Sequence, residues 1–132
     1  MDRYVLDASA LMTFFEDRPG ADRVQELLVR AEAVKRPMLM SVVNWGEVYY
    51  SVWRAHGEGA AEVKLHDIAQ LPVVVVEAAS ELTKLAASLK AGHNLPYADC
   101  FAGALAHAKK ATLVTSDKDF ERVAGSLKIF WI

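Results

Sequence analysis

The sequence predicts an α/β fold with a mainly parallel five-stranded sheet that helices cover on both faces. Short apolar runs with strand character alternate along the chain with segments of helical periodicity. This alternation is typical of parallel sheets, because each strand needs a crossover, usually a helix, to reach the next one. The chain has 132 residues, of which 53% are hydrophobic, and this size suits one core. We therefore expect a single domain over residues 1–132.

Five short apolar runs are predicted as strands, from their residue types and from the charge, glycine or proline that bounds them. In chain order they are RYVLD (3–7), MLMSVV (38–43), LPVVVVE (71–77), ATLVTSD (111–117) and LKIFWI (127–132). The first ends on Asp7 and the fourth on Asp117, so acids are expected at two strand ends.

Helices are predicted between these strands from apolar periodicity and from end signals. A short helix should follow Asp7. Gly57 and Gly92 are C-terminal signals, and Asn94 is a possible N-cap with Pro96 near the first helical position. The four longer helices are ADRVQELLVRAEAV (21–34), NWGEVYYSVWRAHG (44–57), AASELTKLAASLKAG (78–92) and NLPYADCFAGALAHAKK (94–110).

The net charge of −2 and the pI near 6.1 exclude a protein that coats nucleic acid through bulk electrostatics. A nuclease remains compatible with this charge if several acids are gathered in one metal site. Basic residues could surround such a site or lie on ordinary solvated helix faces. They include Arg18, Arg23, Lys84, Lys90, Lys109 and Lys110.

No apolar run reaches membrane-spanning length, so we expect no membrane association. The start Met1-Asp2-Arg3 leads into a strand without the long apolar segment of a signal peptide. The one cysteine, Cys100, cannot form an internal disulfide, which suits a reducing cytoplasm. It lies in an apolar helical run, where we interpret it as a core thiol.

Four acids stand in apolar surroundings, where a charged residue is informative. Asp7 and Asp117 follow strands, Glu47 lies in the first turns of a predicted helix, and Asp99 lies in the first turn or so of another. Strand ends and helix starts of this kind meet at one edge of an α/β sheet. Each acid could instead be an ordinary cap or first-turn acid, and Asp119 competes with Asp117.

Carboxylates that converge raise one another's pKa unless a cation neutralises them, so this pattern predicts a metal site. Oxygen ligands favour Mg²⁺, and Mn²⁺ should substitute for it. The four histidines are scattered without zinc spacing. Ser9, Asn44 and Thr115 lie near the acids in sequence and are expected to orient the carboxylates or metal-bound waters.

Apolar side chains near the start of the chain are too broadly spread for one core-facing stripe. They predict either a nearly buried short helix or a groove for a partner, since exposed aromatic residues mark interfaces. The groove residues in the second interpretation are Leu11, Met12, Phe14, Phe15, Tyr50 and Trp53, with Trp45 and Tyr49 nearby.

Four segments together resemble the successive motifs of the PIN-domain ribonucleases, and most closely the VapC-type toxins of toxin–antitoxin pairs. They are VLDASALMTFF, SVVNWGEVYYSVW, LPYADCFAGALAHAKKATLVTSDKDF and LKIFWI. The resemblance implies a PIN-like α/β/α sandwich with Asp7, Glu47 and Asp99 at the three principal acid positions. Asp117, with Thr115, takes the more variable fourth. Ser116 stands where many relatives have Gly, which puts the geometry around Asp117 in doubt.

The resemblance also implies an activity and partners. The chain would be a Mg²⁺-dependent endoribonuclease of a type II toxin–antitoxin system, with a VapB-type antitoxin and a homodimeric assembly. Attack by a metal-activated water would leave a 5′-phosphate and a 3′-hydroxyl on the products. Whether one or two metal ions take part stays open. The RNA target stays open.

Three other functions fit these residues less well. A receiver-like phosphoacceptor domain needs an acidic pair before its acceptor strand, whereas Asp7 has Leu6 and Ala8 beside it. A haloacid-dehalogenase-like phosphatase needs an aspartate where Ser9 stands. A PIN-like module that only binds RNA or protein is disfavoured because the principal acids are all present.

Overall fold

The computed structural model describes residues 2–132 and contains one parallel sheet of five strands. The sheet order is β3-β2-β1-β4-β5, and every neighbouring pair is parallel. The strands are β1 (Tyr4–Leu6), β2 (Met38–Ser41), β3 (Val73–Val76), β4 (Thr112–Thr115) and β5 (Ile129–Trp131). In the central register Val5 of β1 pairs with Leu39 of β2 and with Leu113 of β4.

Six α-helices and a 3-10 helix connect the strands of the described chain. The α-helices are α1 (Ala8–Phe15), α2 (Ala21–Ala33), α3 (Val42–His56), α4 (Glu58–Ala69), α5 (Ser80–His93) and α6 (Tyr97–Ala108), and the 3-10 helix spans Lys118–Val123. The predicted α/β/α sandwich with a parallel five-stranded sheet is confirmed.

Successive strand residues point to opposite faces of the sheet, so two cores form. Leu6 and Val114 pack with α1 to α4 on one face. Val5 and Leu113 pack with α5, α6 and the 3-10 helix on the other. Cys100 is buried in this second core, as its apolar surroundings predicted.

Two of the predicted boundaries differ from the structure because a residue near each of them has a different capping role. Ser41 ends β2 and accepts a hydrogen bond from the Val43 amide at 3.2 Å, so residues 42 and 43 belong to α3 and not to the strand. Asn94 has a left-handed backbone, with φ of 52°, and is the C-cap of α5. It therefore does not cap α6, whose N-cap position is Pro96.

Helix α4 was missed by the sequence prediction. Gly57, with φ of 94°, ends α3 as predicted and also starts α4 at once, so the chain turns without a loop. The inward side chains of α4, such as Ala61 and Ile68, are widely spaced, which weakens its periodic signal.

None of the helices between residues 2 and 132 combines the length and apolar character that crossing a bilayer requires.

Candidate metal centre

The centre lies at the carboxyl edge of the sheet, where four elements end or begin. Asp7 follows β1 and Asp117 comes two residues after β4, and these strands are neighbours with Leu6 paired to Val114. Glu47 lies in the second turn of α3 and Asp99 in the first turn of α6. The topology therefore brings the four predicted acids to one edge. Asp7, Glu47 and Asp117 all act electrostatically on Asp99.

Asp7 is a helix cap and a member of this cluster at once. Its Oδ1 accepts hydrogen bonds from the Ala10 amide at 2.8 Å and from Ser9 Oγ at 2.7 Å. Its Oδ2 accepts a short hydrogen bond from Thr115 Oγ1. Burial raises the pKa of Asp7 to about 6, although the three donors oppose the rise, and the negative charge of Asp117 adds to it.

Thr115 and Ser9 link the two strand ends. Besides donating to Asp7, the Thr115 hydroxyl accepts a hydrogen bond from the Asp117 amide at 2.9 Å. It also lies 3.2 Å from Ser9 Oγ. Ser9 Oγ accepts a hydrogen bond from the Ser116 amide at 3.1 Å. Ser116 has no positive φ, so the backbone of this chain does not require glycine there.

Asn44 positions Glu47 from the preceding turn of α3. The Asn44 side chain is fully buried, and its Nδ2 donates to Glu47 Oε1 at 2.8 Å and to the Ala98 carbonyl at 3.1 Å. It thus ties α3 to the start of α6 beside Asp99. Burial raises the pKa of Glu47, the Asn44 hydrogen bond opposes this, and the charge of Asp117 adds to it.

Asp99 is the acid whose charge is least compensated. It is 8% exposed, and within residues 2–132 its Oδ2 is buried without a hydrogen-bond partner. Burial raises the pKa of Asp99 to about 8, with further increases from Asp117, Asp7 and Glu47. An ionised carboxylate in such a place requires a cation.

The structure adds Asp119 to the site. One carboxylate oxygen each of Asp99, Asp117 and Asp119 lies within 4.8 Å of the other two. Asp117 caps the 3-10 helix, because its side chain accepts a hydrogen bond from the Asp119 amide at 2.9 Å. This turn brings the Asp119 carboxylate close to the Asp117 carboxylate. Sequence reasoning treated Asp119 as a competitor of Asp117, whereas the turn brings both to Asp99.

This donor set fits a divalent cation with oxygen ligands. Carboxylate oxygens of Asp99, Asp117 and Asp119 are close together, and Asp7 and Glu47 contribute negative charge beside them. Mg²⁺ and Mn²⁺ prefer such ligands. The buried Asp99 oxygen, left without a protein partner among the described residues, is what a metal would satisfy.

Replacing Thr115 by valine tests the link between the strand ends. Valine keeps the shape but removes the hydroxyl that serves Asp7 and the Asp117 amide. We expect a loss of about 1–3 kcal/mol in the free energy of unfolding and about 10- to 100-fold weaker metal binding, measured by urea unfolding and by Mg²⁺ titration. Thr115→Ser keeps the hydroxyl and should retain most of both. Loss in Thr115→Ser with none in Thr115→Val would show that the methyl group, and not the hydroxyl, is what matters.

The predicted groove residues differ in burial and do not all line one groove. Leu11 is 0% exposed, so it is a core residue and the prediction that it lines a groove was wrong. It points at the sheet, where it packs with the core on the α1 face. Met12 and Phe15 are half-buried and line a cleft between α1, α3 and α4. Tyr50 and Trp53 are exposed on α3, at 50% and 43%, and Phe14 is half-buried.

Comparisons with known proteins agree with this fold. The family model described as PIN domain matches residues 4–126, and no curated protein matches the chain. Among solved structures, a toxin–antitoxin complex from Klebsiella pneumoniae is 20% identical with a TM-score of 0.70, covering 98% of this chain and 99% of that chain. VapBC2 from Rickettsia felis, bound to a promoter DNA fragment, is 18% identical with a TM-score of 0.75, covering 96% of each.

A third solved structure, Mycobacterium tuberculosis VapC20, is named as a toxin that cleaves the sarcin-ricin loop. It is 17% identical with a TM-score of 0.69, and the match covers 94% of this chain and 95% of that chain. At such identities the likeness concerns the fold, which extends over nearly the whole of each chain.

Proposed function

The chain belongs to the PIN domain family, and on this premise we propose that it is a Mg²⁺-dependent endoribonuclease, the toxin of a type II toxin–antitoxin pair. One observation carries the metal-dependent activity. Asp99 is buried at the sheet edge with an oxygen that has no partner among residues 2–132, and four further acids surround it. A set of ordinary helix caps would not leave a buried carboxylate in this state.

The chain's own residues have distinct roles in this proposal. Asp99, Asp117 and Asp119 hold the metal, with Asp7 and Glu47 as the further acids of the same edge. A bound Mg²⁺ supplies a water of lowered pKa and charge to offset that of the phosphate oxygens. Ser9 and Thr115 keep the Asp7 carboxylate in one orientation, and Asn44 does the same for Glu47. The catalytic set is thus held by donors on rigid elements.

RNA as the substrate and an antitoxin as the partner are supported by the relatives. The solved structures of similar fold include toxin–antitoxin complexes and a toxin named for cleaving the sarcin-ricin loop. We propose a VapB-type antitoxin for this chain, with the exposed Tyr50 and Trp53 of α3 as part of its contact surface. A homodimer and a cytoplasmic location belong to the same proposal.

The metal dependence is tested with the purified protein, free of antitoxin, and a mixture of cellular RNAs. We expect cleavage with Mg²⁺ or Mn²⁺ and none in excess EDTA, because carboxylates alone do not activate water at neutral pH. The products should carry a 5′-phosphate and a 3′-hydroxyl, which 5′-phosphate-dependent ligation detects. Full activity in EDTA, or products with a 2′,3′-cyclic phosphate, would contradict the proposed mechanism.

A further inference from the structure

A small cavity at the amino edge of the sheet is lined by cations, and no acid of residues 2–132 lines it. It lies between the end of α6 and the start of β5, and its volume is about 340 Å³, near the lower limit for ligand-binding sites. The polar side chains in its lining are those of His107, Lys110, Ser126 and Lys128. The cavity therefore combines two ammonium groups with an imidazole and a hydroxyl.

The positive charge of this cavity is not offset by neighbouring acids. None of the ion pairs among residues 2–132 includes Lys110 or Lys128. Lys110 follows the end of α6, where a cation interacts favourably with the helix dipole. Lys128 lies on another segment, directly before β5, and that dipole does not explain it. Since the whole chain has a net charge of −2, the excess of cations is local and favours an anionic ligand.

Arg3 adds a further cation at this edge. The Thr112 amide donates to the Arg3 carbonyl at 2.8 Å, so Arg3 lies beside the start of β4. Side chains alternate along a strand, and Arg3 therefore shares the α6 face with Val5. Its Nε is buried without a hydrogen-bond partner among residues 2–132, and a donor in this state needs an acceptor. Asp2, the acid next to it in sequence, lines a different cavity with Arg30 of α2.

The cavity is separate from the metal centre. Helix α6 connects the two, with Asp99 in its first turn and His107 in its last, about 12 Å further along the axis at about 1.5 Å per residue. The acids of the metal centre stand at the carboxyl edge of the sheet, whereas Lys110 and Lys128 precede β4 and β5 at the amino edge. An anion at the amino edge is therefore not a ligand of the metal site.

We propose that this cavity binds a phosphate monoester, the group that inorganic phosphate, a nucleotide and an RNA 5′ end have in common. Such a group carries about −1.5 to −2 charges at pH 7 and three strong acceptor oxygens. Two ammonium groups, with a guanidinium beside them and a hydroxyl and an imidazole as further donors, match this dianion better than they match a single carboxylate. The inference goes beyond the proposed nuclease activity and does not depend on it.

Binding is measured by two-dimensional ¹H–¹⁵N NMR in EDTA at constant ionic strength, with inorganic phosphate as the first probe. We expect saturable shifts of the amides of residues 106–111 and 126–128. Uridine 5′-monophosphate and two oligouridylates, one with a 5′-phosphate and one with a 5′-hydroxyl, then identify the source of the group. An RNA end as ligand predicts that the 5′-phosphorylated oligouridylate binds most tightly, whereas a free nucleotide predicts that the monophosphate does.

Lys110→Gly is the sharpest variant, because Lys110 has a left-handed backbone with φ of 51°, where glycine is favoured. It should melt no lower than the wild type and yet bind phosphate about tenfold more weakly, as should Lys128→Gln. Lys109→Gln is the matched control. Lys109 is exposed and adjacent in sequence, but it lines a different cavity together with Glu77 and Glu81, so this variant should leave Kd unchanged.

Absence of phosphate-induced shifts in residues 106–111 and 126–128, or an equal loss of affinity in Lys109→Gln, would overturn the proposal. Two further results would also contradict it. Equal binding of both oligouridylates with no response to phosphate would indicate contacts to the RNA backbone alone, and tighter binding of polyglutamate than of phosphate would indicate an acidic peptide. The assay contains no metal and measures no cleavage, so its outcome is independent of the proposed nuclease function.

Discussion

An Asp99→Asn variant is expected to lose RNA cleavage by more than about 100-fold and yet, at a pH above the raised pKa of Asp99, to melt at a higher temperature than the wild type when metal is absent. Asp99 is buried, its Oδ2 has no protein partner in the described chain, and its pKa is raised to about 8. Asparagine removes the repulsion from neighbouring carboxylates at nearly the same volume. It also removes a ligand that the proposed metal needs.

The same variant should respond weakly to Mg²⁺. A metal that binds only the folded protein raises its melting temperature by mass action, so the wild-type protein should show a rise that Asp99→Asn mostly lacks. Differential scanning fluorimetry with EDTA and with increasing Mg²⁺ measures both effects, and cleavage of a labelled RNA measures activity.

Asp22→Asn is the control for this experiment, because Asp22 is also a first-turn acid, on α2, but is exposed and outside the cluster. It should lose only the helix-dipole contribution of about 0.3–1 kcal/mol and should keep full cleavage and the full Mg²⁺ response. If Asp99→Asn behaved like Asp22→Asn, the interpretation of Asp99 as an ordinary first-turn acid would be correct.

The metal-free protein is expected to lose stability as the pH rises from about 5 to about 8. The pKa values of Asp99 and Asp7 in the folded protein are raised to about 8 and about 6. In this pH range the folded protein therefore binds more protons than the unfolded chain, whose carboxyls are already ionised. The stability from these two groups is fully present below about pH 4 and is lost as the pH passes through the folded-state pKa values.

Metal should reverse this trend, because Mg²⁺ must displace the protons that the acids hold. Urea unfolding at pH 5.5, 7 and 8.5 in EDTA and in saturating Mg²⁺ measures the two slopes. The stabilisation by Mg²⁺ should grow with pH, and cleavage should rise over the same interval. Asp99→Asn in EDTA should show a flatter pH dependence than the wild type. A metal-free stability that rises between pH 5.5 and 8.5 would show that these carboxyls do not share an uncompensated site.

Much of the fold and of the acid placement follows from local sequence signals. Alternation of apolar runs and helical periodicity predicted the parallel sheet, because burial of each strand on both faces needs apolar residues throughout. Asp7 follows the first strand directly, Asp117 comes two residues after the fourth, and Asp99 follows Pro96 at a helix start. Strand ends and helix starts share one edge in this topology, so convergence of these acids could be predicted without coordinates.

Other features depend on which segments meet in three dimensions. Leu11 differs little in sequence context from Phe15, yet the first is in the core and the second lines a cleft, because packing against the sheet selects one side of α1. Asn94 ends one helix instead of starting the next because its backbone is left-handed. The predictions for Leu11 and Asn94 were wrong, since neither the direction of a side chain nor a backbone angle can be read from residue type.

The sequence by itself determined the fold class and the acids at the sheet edge, because hydrophobic periodicity and strand-end positions are local properties. Tertiary structure alone decided that Asp119 joins Asp99 and Asp117, through the turn that Asp117 caps. It alone placed Lys64 of α4, a helix with a weak periodic signal, over Phe15 of α1. In both cases the distance between the side chains is set by packing, and it cannot be predicted from their spacing in the sequence.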